Sequence, residues 1–299
     1  MQQSERLAKD TEVKRGSGAL GSNRQSFSPD NCSGAAFSGC VTSDPRPSGW
    51  NALPPTVDRA TAQQIIAYLR QFLTPERQQR MEAVLAQRTR YITVVLEDIH
   101  FSQNANAALR NCDCFGIQDI HVVQNNTSFK LNADVTRGCS KWLSLYRYKH
   151  QKNNTERCIH NLKEKGYALV ATTPHGQPFS PTELPLDRPL ALWFGNEHEG
   201  LSEMALTAAD MQVSIPMCGF SESFNISVST ALCLQGVCDR LRQSSRPWQL
   251  TESEIQTLRL HWYRQANPLG EQLEKQFWTS RDADASAPLK TPLKTPLKT

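Results

Sequence analysis

The stretch Tyr91–Gln124, YITVVLEDIHFSQNANAALRNCDCFGIQDIHVVQ, decides the fold class. YITVVL (91–96) is a short, β-branched apolar run and reads as a buried strand. Asn104–Phe115 reads as a helix, and Ile117–Gln124 as a second strand. A strand, a helix and a strand in succession is the unit of a parallel sheet with crossover helices. The same alternation continues downstream. Beyond a looped stretch, Trp142–Tyr148 reads as a strand and Thr155–Lys165 as a helix stopped by Gly166. Strands Tyr167–Thr172 and Leu190–Phe194, helix Leu201–Ala209, strand Gln212–Ile215 and a long helix from Asn225 to Leu241 follow.

Upstream of this block, Val57–Leu73 carries Ile65, Ile66, Leu69, Phe72 and Leu73 at helical spacing. Thr74-Pro75-Glu76 is a helix start: a capping hydroxyl, a proline suited to the first turn, then an acid that favours the helix dipole. The helix from Pro75 to Gln87 places Met81, Val84 and Leu85 on one face. A closing helix is expected near Glu252–Ala266. The expected fold class is therefore α/β, a mostly parallel sheet flanked by helices, with further helices at both ends.

Hydrophobic residues are 38% of the 299, below the roughly 45–50% of average globular chains. The shortfall lies in residues 1–50 and in 281–299, which end in a Pro-Leu-Lys-Thr repeat. Such segments cannot bury enough apolar surface to offset the entropy of ordering, so both are expected to be disordered tails. Between them we expect a basic helical segment over 51–90, the sheet domain over 91–245 and a helical extension over 246–280. The start is polar and no apolar run approaches the roughly 20 residues that span a bilayer, so the expected place is the cytoplasm. The nine cysteines include no CxxC pair, and Cys112 and Cys114 stand too close for a zinc knuckle; reduced thiols and no metal are expected.

The net charge of +4 is modest, but its distribution is uneven. Arg77, Arg80, Arg88 and Arg90 precede the first strong strand; Arg240, Arg242 and Arg246 follow the last core helix. Basic patches bracketing a near-neutral core suit a polyanion, and equally suit solvated helix faces.

Ligands of parallel sheets sit at the carboxyl ends of strands. The first loop of interest is His100–Asn104, followed in its helix by Arg110. Asn104 suits a helix cap; Arg110, among Ala and Leu, needs an anion, and its planar fork fits phosphate or carboxylate. The second loop, Gly195-Asn-Glu-His-Glu-Gly200, has the outer spacing of a P-loop, yet Leu201 stands where lysine is needed. It remains a glycine-framed turn that displays Glu197. The third runs from Ile215-Pro216-Met217 to Ser223-Phe224-Asn225, where the long helix starts. No GxSxG elbow surrounds Ser223, and no GxGxxG follows a strand. Hydrolase and dinucleotide readings lose their support.

Taken in order, these loops resemble the three motifs of the SpoU family of RNA 2′-O-methyltransferases. Asn104 with Arg110 looks like the first motif, Phe194–Glu197 with Gly200-Leu201 like the second, and Ile215–Met217 with Ser223–Ser227 like the third. The flanks look most like its tRNA guanosine-18 branch, TrmH. The resemblance implies a deep trefoil knot in the C-terminal part of the sheet domain, a rare exception to unknotted topology. It implies a homodimer with tRNA as partner and S-adenosyl-L-methionine (AdoMet) as methyl donor. Carried over by motif, Arg110, Asn104, Glu197, Ser223 and Asn225 are the expected catalytic residues. Thr172, Gly195, Ile215, Met217 and Phe224 are the expected AdoMet pocket, and Arg77, Arg80, Arg88, Arg240 and Arg242 the RNA contacts. Two alternatives stay open, a ribosomal RNA ribose methyltransferase and a catalytically silent RNA-binding module of the same fold.

Overall fold

The computed structural model describes residues 57–149, 153–174 and 178–286; of the two expected tails only 281–286 fall within these. In chain order the elements are α1 (Arg59–Arg70), α2 (Pro75–Leu85), β1 (Ile92–Glu97), α3 (Ser102–Cys114), β2 (Asp119–Val123), α4 (Ala133–Thr136), β3 (Ser144–Tyr148) and α5 (Asn154–Glu164). They continue with β4 (Ala168–Thr172), β5 (Leu190–Phe194), α6 (Glu203–Ala208), β6 (Met211–Val213), α7 (Ile226–Gln243), α8 (Glu252–Ala266) and α9 (Gly270–Ser286).

The six strands form one sheet in the order β3-β2-β1-β5-β4-β6, every pair parallel. Successive side chains on a strand point to opposite faces, and here both faces are covered. Ile92, Val94, Leu96, Leu190, Leu192 and Phe194 pack against Ala108 and Leu109 of α3 and Leu234 and Val237 of α7. Val95, Leu169, Ala191 and Trp193 pack on the other side against Cys158 and Leu162 of α5 and Ala205 of α6. A sheet buried on both sides needs apolar residues at nearly every position, which is why 91–96 is apolar but for Thr93, whose hydroxyl donates to the Asp119 carbonyl at 2.6 Å. Each such fully buried side chain contributes about 1.5–3 kcal/mol.

A second core joins the first two and the last two of the described helices. Ile65 and Leu69 of α1 and Met81 and Leu85 of α2 pack with Leu258, Trp262 and Tyr263 of α8 and Leu273 of α9. The segments read separately as 51–90 and 246–280 thus share one helical layer. Its helices start as their residues dictate. The Thr74 hydroxyl accepts from the Arg77 N–H at the start of α2, and Thr251 and Glu254 form a reciprocal capping box on α8.

Four expectations are corrected. α3 begins at Ser102, so Asn104 lies inside the first turn and caps nothing; the capping position is Phe101, which has no side-chain acceptor. β6 ends at Val213, not Ile215. The stretch expected to be loop contains α4, capped by the Asn132 side chain, and a 3₁₀ turn over Cys139–Trp142. The single closing helix is a pair. Asn267 and Pro268 end α8, but Leu273, Phe277 and Trp278 then supply an apolar face for α9 to bury, and α9 runs past 280 to Ser286.

Candidate active site

The loops singled out by sequence leave the carboxyl ends of neighbouring strands, β1 beside β5 and β4 between β5 and β6. The loop after β5 closes on itself. Asn196 and Gly200 exchange both backbone hydrogen bonds, at 2.8 and 2.9 Å, with Gly200 at φ +73°. A Cβ on Gly195 would stand 2.3 Å from the Gly200 carbonyl, so this closure demands glycine there. The Asn196 side chain pins the turn, accepting from the His198 N–H at 2.8 Å and donating to the Asp98 carbonyl at 2.7 Å.

So held, Glu197 faces the start of α3, whose unpaired N–H groups favour an anion. Its carboxylate accepts from the N–H of His100 at 2.8 Å, the N–H of Phe101 at 3.4 Å and Nδ2 of Asn104 at 2.7 Å. Burial pushes the carboxyl up, but these donors outweigh it and hold Glu197 below the usual carboxylate range. Oδ1 of Asn104 in turn accepts from Nδ2 of Asn225 at 3.0 Å. The Asn225 side chain caps α7, its Oδ1 accepting from the Ser227 N–H at 2.9 Å and the Ser227 hydroxyl at 2.6 Å. A continuous chain of hydrogen bonds, Glu197–Asn104–Asn225–Ser227, joins the three loops.

Arg110 is exposed on α3, and among the described residues no ion pair engages it. Ser223 is exposed in the loop before α7 and is not drawn into the hydrogen-bonded chain. Of the expected cofactor residues, Gly195 is buried, Ile215 and Met217 are half-buried, and Phe224 is 41% exposed. Thr172 ends β4, its hydroxyl donating to the Trp193 carbonyl at 2.9 Å.

The basic residues divide. Arg77 and Arg80 are exposed on α2. Arg88, expected to contact RNA, is corrected: it is 1% exposed, paired with Asp113 and stacked over Trp262 at 5.3 Å. Its guanidinium cannot reach a phosphate. Arg240 and Arg242 are half-buried and turn inward, donating to the carbonyls of Leu184 at 2.8 Å and Phe115 at 2.6 Å.

Two acids went unread in the sequence. Glu97, 2% exposed, ends β1 and accepts from Thr155 Oγ1 at 2.5 Å and Ser202 Oγ at 2.8 Å, tying the sheet to α5 and α6. Asp98, at φ +48°, accepts from the N–H groups of Asn125 at 2.7 Å and Asn126 at 2.9 Å. Adjacent acids directly after a buried strand were the available signal. Among the described residues there is no cluster of three or more metal-binding side chains and no helix long and apolar enough to cross a membrane.

Residues 91–235 match the model of the SpoU rRNA Methylase family. A Borreliella burgdorferi protein named tRNA (guanosine(18)-2′-O)-methyltransferase is 43% identical over 200 residues, which are 67% of this chain and 90% of the relative. An Escherichia coli K12 protein of the same name is 28% identical over 191 residues, 62% of this chain and 81% of the relative. The crystal structure of the A. aeolicus TrmH/SpoU tRNA modifying enzyme superposes with a TM-score of 0.57 at 27% identity. It covers 64% of this chain and 96% of that one.

Proposed function

This chain belongs to the SpoU methylase family, and from that premise we propose that it methylates the ribose 2′-hydroxyl of guanosine 18 in tRNA with AdoMet as donor. The observation that carries the reading is the hydrogen-bonded chain from Glu197 through Asn104 to Asn225. It fixes the three motif loops in one constellation, as a site needing alignment to a fraction of an ångström requires. The names of the relatives supply the RNA and the nucleotide.

The cofactor residues fit the donor. Thr172, Gly195 and the 215–217 segment follow neighbouring strands, and Ile215, Met217 and Phe224 offer apolar walls beside backbone carbonyls. Bound there, AdoMet supplies a methyl group already activated on a sulfonium. The chain's own task is then to align the 2′-hydroxyl and ease loss of its proton. Arg110 holds the substrate phosphate with its fork and polarises the hydroxyl. Glu197 is an organiser, ionised and with both oxygens accepting hydrogen bonds, while Asn104 and Asn225 keep the loops in register and Ser223 faces the substrate.

The same reading extends to architecture. The segment before β5 lies across α7: a Cβ on Gly236 would stand 2.9 Å from Pro181, and Arg240 grips the Leu184 carbonyl. Such an overlay supports a trefoil knot in which α7 is threaded beneath the chain. Val228 and Leu232, four residues apart on α7 and 42% and 40% exposed, form an apolar stripe that supports a homodimer through α7. The helical layer (51–90 with 246–280) acts as the RNA-binding unit of the sheet domain (91–245), Arg77 and Arg80 facing the phosphates in the cytoplasm.

The test is transfer of labelled methyl from AdoMet into unmodified tRNA, with mapping of the modified nucleotide. Label at the D-loop guanosine is expected. Label confined to ribosomal RNA, or none in any RNA despite AdoMet binding, overturns the assignment.

A further inference from the structure

α3 carries Arg110 one turn before Asp113, and its C-terminal end is gripped by two arginines from elements distant in sequence. Arg88, from the link between α2 and β1, pairs with Asp113 and donates from Nη1 to the Ile117 carbonyl at 3.1 Å. Arg242, from the end of α7, donates to the Phe115 carbonyl at 2.6 Å and stacks on Trp248 at 5.9 Å. Cations belong at a helix C-terminus, where unpaired carbonyls gather. The contact is tight: a Cβ on Gly116 would stand 2.5 Å from the Gln87 carbonyl, and the Thr89 N–H donates to the Gly116 carbonyl at 2.9 Å.

Stability alone is a poor account of Arg88. Its side chain is 1% exposed, and Nε is buried with no partner among the described residues. A buried ion pair is often matched or bettered by apolar side chains of the same volume, and an orphaned buried donor is destabilising. What the fork adds is geometry. It fixes α3 to the start of β2 and, through the face of Trp262, to α8; the Trp262 indole N–H donates onward to the Trp142 carbonyl at 3.1 Å. We propose that Arg88 and Arg242 are positioning residues that lock the C-terminal end of α3 onto the helical layer and onto α7 respectively, and so set where Arg110 meets the ribose. The proposal rests on the methyltransferase reading and on Arg110 as its phosphate-holding residue.

The experiment compares wild type with Arg88→Met, Asp113→Asn, the double variant and Arg242→Met. Three quantities are measured: the single-turnover rate of methyl transfer at saturating tRNA and AdoMet, the Kd for tRNA, and the melting temperature. Assays run well below every melting temperature, so that loss of folded protein does not mimic the effect. A displaced catalytic group costs up to about a hundredfold in rate; drops of about tenfold or more are expected in each single variant, with the tRNA Kd within about twofold. Because Arg88 and Asp113 act as a pair, the double variant should be no slower than the slower single one. Should Arg88→Met fail to fold, Asp113→Asn and Arg242→Met carry the same prediction. Unchanged rates overturn the proposal, and so does a weakened Kd with full rate at saturation, which would assign these arginines to RNA affinity and not to the placement of Arg110. A wild type active on tRNA with indifferent variants overturns this inference alone; a wild type inert toward every RNA overturns the functional reading as well.

Discussion

Arg110 offers what phosphate recognition wants, a planar fork of donors that can meet two oxygens at once. An ammonium at the same place keeps the charge and loses the fork, so Arg110→Lys is expected to slow single-turnover methylation by about 10²-fold, the scale of a removed electrostatic contact. Near-normal rates would sink any role for the fork. Glu197 makes a different prediction. Its folded carboxyl titrates below the ordinary value of 4.5, so its contribution to stability is fully present above that value and is lost as pH falls through the folded one. Glu197→Gln should therefore melt below wild type at pH 7, and the gap should close on acidification below about pH 4.5. A gap independent of pH would show that the charge is not what holds the loop. At this scale the meeting of Asn104 and Glu197 was legible, because both follow the carboxyl ends of the neighbouring strands β1 and β5. Arg88 was not. Its neighbours in sequence give a charge and no burial, and only the fold puts Trp262 and Asp113 around it.

Among elements, the strands and long helices were legible because two-sided burial and helical spacing leave a periodic trace. Their ends were not, since an end is set by caps and by what the next element covers. Asn104 shows the cost: it has the chemistry of a cap, yet α3 starts two residues earlier and its amide is spent on Glu197 and Asn225 instead. Glycines at turns allow a sharper test. In Gly195→Ala the new methyl meets backbone that cannot step aside, 2.3 Å away. Overpacking of this kind costs about 1–3 kcal/mol, and opening the Asn196–Gly200 closure should abolish methylation. Gly138 has φ +73° but nothing within 4 Å of a Cβ; Gly138→Ala should cost only the left-handed penalty of about 1–2 kcal/mol and leave the rate intact. Urea unfolding beside activity separates the two, and equal activity in both variants would refute the steric account. The sheet itself carries a pH signature. His121 of β2, stacked on Tyr146 at 4.8 Å and accepting or donating at Tyr148, is pushed down by burial to about 3. The unfolded chain binds this proton near the ordinary 6.5, so stability should fall as pH drops through that window. His121→Phe should flatten the fall in denaturant midpoint; an unchanged slope would assign it to other groups.

At the scale of the molecule, the pairing of α1 and α2 with α8 and α9 into one helical layer left no local trace, because contacts between α1 and α8 have no period to read. What such a layer and sheet still expose is informative. On α7 the residues facing the sheet are buried, yet Val228 and Leu232, four positions apart on the opposite side, are 42% and 40% exposed, with Phe224 exposed in the loop just before the helix. Residues four apart share one helix face, and an apolar stripe on an otherwise amphipathic helix marks contact with a partner. The same helix begins at Asn225, one end of the hydrogen-bonded chain through the active site. A second copy seated on this face would bury the stripe and brace the 216–225 loop from outside, which makes assembly and catalysis depend on one surface. Leu232→Glu places a charge on that stripe without touching the buried sheet core. In sedimentation equilibrium the wild type should run at twice the chain mass and the variant at the chain mass, with methylation falling in step. The variant's melting curve should keep its cooperativity, since Leu232 lies outside the buried core at 40% exposure. A wild type that is monomeric and fully active would remove the dimer from the proposed function and leave the stripe to another partner.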